Sequence, residues 1–586
     1  VKKKKIFLKK ACSTYSIGYF YTNIFQTMYQ PNTFDLSRLK ERAIQFENQL
    51  KRHNAGVTTA EEFRPLRLQN GLYIQRHAPM LRIAIAYGML NTRQLKVLAN
   101  ITKKYDRGYG HLTTRQNMQL NWIKVNDVPK ALKELAEVGL HGIQSSGNCL
   151  RNITSDALAG ICENEIVDPR PYAEILRQWS TFHPELSFLP RKFKVAFTGS
   201  IDDRALVQVH DLAFEAITPE PDVTFRVRAG GGLGRTPVLG PVIHENLHWT
   251  NITLYTHALM RLYNRLGRRD NMTKARIKIL IRSVGVDEFK KLLNEEFKEI
   301  EQNFRKLGSH DLDNVKQQFM EEKKIVEKVS NSGEIVCSFV DKERDNDEFS
   351  TWKNRCVVNH KFHGLSIVKI PVKGQGRAPG DVTAEEMLSL CEIADEFSAS
   401  LIRVTHAQNF IMPYVATSNL PALYLKLREL NLARPVSGLL TDMVCCPGGD
   451  FCSLANARSI TVAEDINQRY QALNKLESLG EVDLRISGCM NSCGHHHIGN
   501  IGILGVDKDG RAFYQVLLGG NTGEKGEASL GKIITKAFAE DEISDAVENI
   551  LQHYVSNRNK NESFRNTVAR IGNPSFADAA NRARKS

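Results

Sequence analysis

The stretches "LTTRQNMQL" (112–120) and "VTHAQNFIM" (404–412) align so that Thr113 meets Thr405 and Gln116-Asn117 meets Gln408-Asn409. Their surroundings repeat as well. Around the first, the apolar spacing predicts a strand "RIAIAYGML" (82–90), a helix opening at Asn91-Thr92, a long strand "HLTTRQNMQLNWI" (111–123) and a helix "PKALKELAEVGL" (129–140). Around the second come a strand "GLSIVKIPV" and a helix with a Thr383 to Glu386 capping box. A strand "LIRVTHAQNFIMP" and a helix "LPALYLKLREL" follow. Later in each half an apolar run ends in a glycine-rich loop, "VRAGGGLGRTP" (227–237) and "VLLGGNTGEKG" (516–526). The same order twice argues for duplication. The expectation is two related α/β modules, about 62–330 and 340–586, meeting around a central site.

At 586 residues the chain exceeds what one hydrophobic core supports, and 42% apolar with 25% charged residues reads as globular. No stretch has the length and apolarity of a membrane span. Residues 1–27 carry six lysines and no acid, broken by Ser, Thr, Asn and Gly, a poor fit to a secretory signal. They are expected to be a disordered extension or a mis-assigned start, with an amphipathic helix following in 28–61. Those lysines account for six of the formal charge of +14, which leaves +8 on the remainder. This moderate excess suits an anionic cofactor or substrate, or an acidic protein partner. No basic helix interleaved with aromatics points to nucleic acid.

Five of the eleven cysteines lie in "CCPGGDFC" (445–452) and "SGCMNSCGHHH" (487–497); the other six are scattered singly. Such scatter does not suit a secreted disulfide framework and fits a reducing cytoplasm. Cys446 and Cys452 are spaced C-x5-C, and Cys489 and Cys493 are spaced C-x3-C. Together they form a soft four-sulfur set suited to zinc or to an iron–sulfur cluster. The C-x5-C pair is wide for a zinc ribbon, whereas a cubane accepts irregular spacing. Gly448, Gly449 and Gly488 would bring backbone N–H donors to its sulfides.

"CPGGDFCSLANARS" and "SGCMNSCG" resemble the cluster segments of the sulfite and nitrite reductase hemoproteins, in which a [4Fe-4S] cubane is coupled to siroheme. "MLR" (80–82), "LTTRQ" (112–116), "LRN" (150–152), "LPRKFK" (189–194) and the glycine loop 230–234 follow in family order, so the likeness covers about 60–570. It implies a mixed α+β and α/β fold of two pseudo-repeated modules around a central cofactor site. Each module joins a ferredoxin-like half-domain (62–140 and 350–435) to a siroheme- or cluster-binding α/β domain (141–335 and 436–570). A tail (571–586) follows. It further implies that Cys446, Cys452, Cys489 and Cys493 hold the cluster, with the Cys493 thiolate shared with the siroheme iron, and it leaves Cys445 without a role.

By the same resemblance, the substrate-facing cations are Arg82, Arg151, Lys192 and Lys194. The siroheme carboxylates would meet Thr113, Arg115, Gln116, Asn117, Arg235 and the loop amides of Gly230, Gly231 and Gly232, with Asn491 beside the cluster. On a strand Lys192 and Lys194 share a face opposite Phe193, and two adjacent ammonium groups repel unless an anion lies between them. Gln116 and Asn117 read equally well as strand-edge hydrogen-bonding residues. His111 stands where some members carry an arginine, which weakens a carboxylate contact there. His495, His496 and His497 cannot all face one way and so do not make a three-ligand metal site.

The implied reaction is assimilatory, six-electron reduction of sulfite to sulfide, fed through the cluster; nitrite to ammonia is the alternative. "GLGRTP" and "GQGRAP" lack the third glycine of a dinucleotide loop. Electrons are therefore expected from another protein, ferredoxin or an NADPH-dependent flavoprotein. A remote alternative is a colourless, zinc-stabilised, anion-binding module without redox activity.

Overall fold

The computed structural model describes residues 33–319 and 347–585. The expected extension 1–27, together with Cys12 and Cys337, lies outside the described residues. The N-terminal helix runs Thr33–Asn54 and buries Leu39, Ala43, Phe46 and Leu50, one side chain per turn.

Both predicted helices of the repeat that open on a cap form. Thr92–Tyr105 begins at Asn91, whose side chain accepts from the Gln94 amide while the Gln94 side chain accepts from the Asn91 amide. Ala384–Phe397 begins the same way at Thr383 with Glu386. The two helices pack on each other and bury Leu95, Leu98 and Ile101 with Met387, Leu390 and Ala394. Each large aliphatic group in that contact contributes roughly 1.5–3 kcal/mol.

The predicted long strands do not exist as single strands. In the first half Tyr109–Leu112 and Met118–Leu120 form an antiparallel hairpin, with Leu112 opposite Met118. In the second, Leu401–Val404 pairs with Phe410–Ala416. The chain reverses because Gln116 (φ 56°) and Gln408 (φ 58°) adopt left-handed backbone. The Thr113 and Thr405 amides then donate to Asn117 O and Asn409 O, each at 2.9 Å. Each Thr hydroxyl also accepts from the Asn amide four residues on, so Thr and Asn staple the same turn twice. The predicted strand 82–90 is likewise broken. It becomes Pro79–Ile83, a tight turn Ala86–Gly88 and Met89–Asn91.

These hairpins sit in two five-stranded sheets that exchange an edge. Asp381–Thr383 of the second half pairs with Tyr109–Leu112, and Met89–Asn91 of the first half pairs with Leu401–Val404. The swap covers what would be open edges and joins both ferredoxin-like halves in one apolar core that includes Leu81, Ile101, Trp352 and Val404.

Two further sheets share one topology. Thr154–Ser155, Val195–Thr198 and Leu212–Ala216 run parallel, then Thr224–Ala229 and Val242–His248 add antiparallel. In the second half Val444–Cys445, Leu484–Ser487 and Ile501–Lys508 run parallel, then Arg511–Leu518 and Lys532–Ile533 add antiparallel. The glycine-rich loops follow Thr224–Ala229 and Arg511–Leu518 at matching positions. Among the described residues no helix is long and apolar enough to cross a membrane.

Candidate active site

Cys446 and Cys452 flank the short helix Gly448–Phe451, and Cys489 and Cys493 follow the strand Leu484–Ser487. The two loops meet through glycine. Gly448 has φ 54°, and a Cβ on Gly488 would stand 2.7 Å from the Gly448 Cα. That approach lets the Gly488 amide donate to Cys446 Sγ at 3.3 Å. The Cys452 thiol receives the Leu454 and Ala455 amides, and the Cys489 thiol receives the backbone and side chain of Asn491. Such donors favour thiolate. Burial, first, and then the charge of Cys493 push the Cys446 thiol up to about 12. Cys452 and Cys489 are raised by burial and by Cys493 too, which places all four sulfurs within electrostatic reach of one another.

The described residues contain no group of three His, Cys, Asp or Glu side chains close enough to hold one metal ion. With their backbone donors the four thiols fit a cubane. All nine cysteines among the described residues are free, and Cys493 is the exposed one of the four. Its carbonyl accepts from Thr114 Oγ1 at 2.8 Å, which ties the socket to the first hairpin.

On the open side of Cys493 the structure gathers cations. The Phe193 amide donates to Cys149 O and the Arg151 amide donates to Phe193 O, so residues 192–194 extend the strand Val195–Thr198. Phe193 enters the apolar core, while Lys192 and Lys194 turn to the opposite face. Burial, then Arg151, Arg276 and Arg191, push Lys192 down to about 8, with Cys493 acting the other way. Lys194 is driven well below its ordinary value by burial, Lys192, Arg276 and Arg115. Arg115 falls to about 9 through burial and the charges of Arg151, Arg276 and Arg82. Asp211 lies among them, fully buried, accepting Arg276 at 2.6 and 2.9 Å and the Lys194 amide at 2.9 Å. A low-dielectric chamber with this surplus of positive charge is complementary to anions.

The remaining residues singled out from the sequence are placed as follows. Arg82 donates twice to Gln119 Oε1 and stacks over Tyr73. Arg151 grips the carbonyls of Ser145 and Gly147. Arg115 reaches His210 Nε2 and Asn152 O, both at 2.5 Å. Gln116 bonds Val404 O and the Ser155 amide, and Asn117 Oδ1 accepts from Ile85 N and Asn152 Nδ2. Both side chains therefore serve the hairpin. The Gly230 and Gly232 amides donate to Asp211 O and Val238 O. Arg235 Nε lies 3.3 Å from Met490 Sδ at the surface. His111 pairs with Asp381 at 2.7 Å across the exchanged edge. His495 and His496 are buried, with ring nitrogens that lack partners.

Sequence reasoning missed Arg276, Lys278 and Asp211. Lys278 donates to the carbonyls of Gly232, Leu233 and Thr236 and so fixes the glycine loop. Nothing local in "KARIKIL" marks Arg276 or Lys278, because only the packing of the helix Ile277–Val284 and its N-cap brings them to the chamber, where Asp211 enters from the start of Leu212–Ala216.

Four thiols beneath a cationic chamber are the residues of a metal-cofactor protein with a site complementary to anions. The family described as nitrite and sulphite reductase 4Fe-4S domain matches residues 146–301 and 438–585, and the nitrite/sulfite reductase ferredoxin-like half domain matches 73–138 and 363–430. The chain belongs to this family of siroheme and [4Fe-4S] oxidoreductases. It is 27% identical over 488 residues to the ferredoxin–nitrite reductase of Synechococcus elongatus, covering 80% of this chain and 85% of that one. It is 25% identical over 501 residues to sulfite reductase [ferredoxin] 1 of Mycolicibacterium paratuberculosis, covering 83% and 81%. The solved Mycobacterium tuberculosis NirA protein shares the fold, with a TM-score of 0.72 at 24% identity over 88% of this chain and 92% of that one.

Proposed function

We propose that the protein is an assimilatory sulfite reductase, with Cys446, Cys452, Cys489 and Cys493 holding the cluster and Cys493 shared with siroheme iron. The cofactor pair would supply single-electron transfer to a substrate held on iron. The observation that carries sulfite over nitrite is Lys194, a second enclosed lysine beside Lys192 among Arg115, Arg151 and Arg276. Burial and mutual repulsion hold both lysines toward the neutral form, and an entering dianion favours protonating both. Sulfite carries up to two negative charges and nitrite one, so the doubled lysine suits sulfite.

Within this reading Arg82 and Arg151, fixed by Gln119 and by the 145–147 carbonyls, orient the anion's oxygens. Lys192, held near 8, gives up a proton readily as oxygen leaves as water. The electron donor is an acidic carrier protein, and ferredoxin is favoured because both relatives named above are ferredoxin enzymes by name. A cytoplasmic setting suits nine free thiols.

Nitrite is the second reading, since the named nitrite reductase is slightly more similar than the named sulfite reductase. Turnover of the purified protein with reduced methyl viologen on both anions decides between them. The expected result is a higher kcat/KM for sulfite, and a Lys194→Met variant that loses about 100-fold on sulfite but less than about 10-fold on nitrite. A wild-type preference for nitrite overturns the substrate assignment.

A further inference from the structure

A cavity of about 430 Å³ lies where the second half meets Asp156 and Arg204 of the first, lined by Lys369, Thr405, His406, Arg485, Asn500 and Asn521 among others. The repeat explains its position. Arg82 stands opposite Gln119 across its hairpin, and Lys369 stands opposite Ile411 at the matching place. Asn117 Oδ1 accepts the Ile85 amide at 3.2 Å, and Asn409 Oδ1 accepts the Val372 amide at 3.1 Å. Asn117 is joined to Asn152, and Asn409 to Asp442. Thr154 pairs with Ala196, and Val444 pairs with Arg485. In this register Lys369 is the counterpart of Arg82, Thr405 of Thr113 and Asn521 of Gly232. The cavity is a second copy of the chamber above Cys493.

Its chemistry has changed. Ala407 replaces Arg115, Thr441 replaces Arg151, Glu481 and Asp483 replace Lys192 and Lys194, and Glu524 replaces Arg235. The cations that would meet a macrocycle bearing eight carboxylates are gone, and the position of Cys493 is taken by Arg204, so no electron path enters from below. A smaller positive pole survives. Glu481 is neutralised by Lys525 and Asp483 by Arg485, at 2.7 Å. Arg485 is only 6% exposed, and its Nη1 has no hydrogen-bond partner. Lys369 makes no close ion pair among the described residues, and the buried carboxylate of Asp442, which also lines the cavity, lies within reach of its charge. A buried guanidinium nitrogen left bare is unfavourable, and a ligand oxygen would relieve it.

We propose that this second chamber binds one small inorganic oxyanion between Lys369 and Arg485, by charge and hydrogen bonding and without redox turnover. The inference rests on the reductase reading only in using the visible absorption of siroheme to tell the two chambers apart.

Labelled phosphate is dialysed against holoenzyme while the visible spectrum is followed, and sulfate is run as a competitor. The expected result is one equivalent per chain that leaves the visible bands unmoved, is displaced by sulfate, weakens at least about tenfold in Lys369→Met and persists in Lys369→Arg. Unchanged binding in Lys369→Met, or bound phosphate that always shifts the visible bands, overturns the proposal. Crystals of the wild type soaked in selenate decide independently of how the variant folds, since anomalous density is required between Lys369 and Arg485 and its absence refutes the site. A preparation without siroheme absorption or turnover that still binds phosphate through Lys369 would sink the reductase reading and leave this one standing.

Discussion

The cluster socket and its counterpart in the first half share a backbone and hold opposite things. The Cys452 amide donates to Gly448 O at 2.8 Å, and the Cys162 amide donates to Leu158 O at 3.2 Å. The Asn456 and Ala457 amides both donate to Gly488 O, and those of Ile166 and Val167 both donate to Gly199 O. His495 and Leu206 take the same left-handed turn, φ 59° and 56°. In that register Cys446 faces Asp156, Cys452 faces Cys162, Cys489 faces Ser200 and Cys493 faces Arg204. The Arg204 guanidinium donates to Asp156 at 2.8 Å, to Cys162 Sγ at 3.0 Å and to Ser200 Oγ at 2.8 Å. One half keeps four thiols around its socket, and the other fills the matching place with a planar cation whose three nitrogens all donate. Backbone hydrogen bonds preserve the shape of a duplicated site, and the charge of a few side chains decides its contents.

Breaking the thiol side should have the largest effect. Cys493→Ser is expected to lower methyl viologen-driven kcat by on the order of 10³ or more, because the proposed link between the two metal centres would be lost. Near-normal turnover would refute the shared thiolate. Breaking the other side comes next. Arg204→Met strips the partner from buried Asp156 and should cost about 3–5 kcal/mol in denaturant unfolding. An unchanged midpoint would show that the guanidinium is not what fills the first socket.

Asp203 sharpens the comparison through pH. It occupies the position of Ser492, its Oδ2 lacks a partner, and burial followed by the charge of Glu215 pushes its carboxyl up to about 7. A carboxyl with a raised folded pKa keeps its proton in the native state while the unfolded chain gives it up. The contribution of Asp203 to stability is therefore full below about pH 4 and falls by a few kcal/mol as pH rises to about 7. Asp203→Asn should flatten that slope in denaturant titrations, whereas a slope equal to wild type would remove Asp203 as its source. The smallest effect is expected where the halves agree. Asn91→Ala and Thr383→Ala each remove one capping box and should each cost about 1 kcal/mol. Unequal losses would show that the two helices are held differently.

The repeat and the helices bounded by caps were legible in the sequence because 3.6-residue periodicity and N-cap chemistry are local signals. The hairpins were not. An apolar strand passing through "TTRQN" reads as continuous until Gln116 is known to be left-handed, and no side-chain pattern announces that for a non-glycine residue. Gln116 and Asn117 are cofactor candidates by the family resemblance and read equally well as strand-edge hydrogen-bonding residues. The folded chain uses them to tie one hairpin to Ile85, Asn152, Ser155 and Val404.

The sequence by itself determined the ligand chemistry: four thiols in two short glycine-flanked segments, two lysines one residue apart, and a duplicated order of elements. These are covalent facts of spacing, and no rearrangement of the chain alters them. Tertiary structure alone decided that the two halves trade edge strands, that Arg276, Lys278 and Asp211 join the chamber, and that Arg204 stands where the first half could have held a thiol. Those outcomes depend on which distant segments share a buried space. Long-range packing settles that, and the local residue pattern does not encode it.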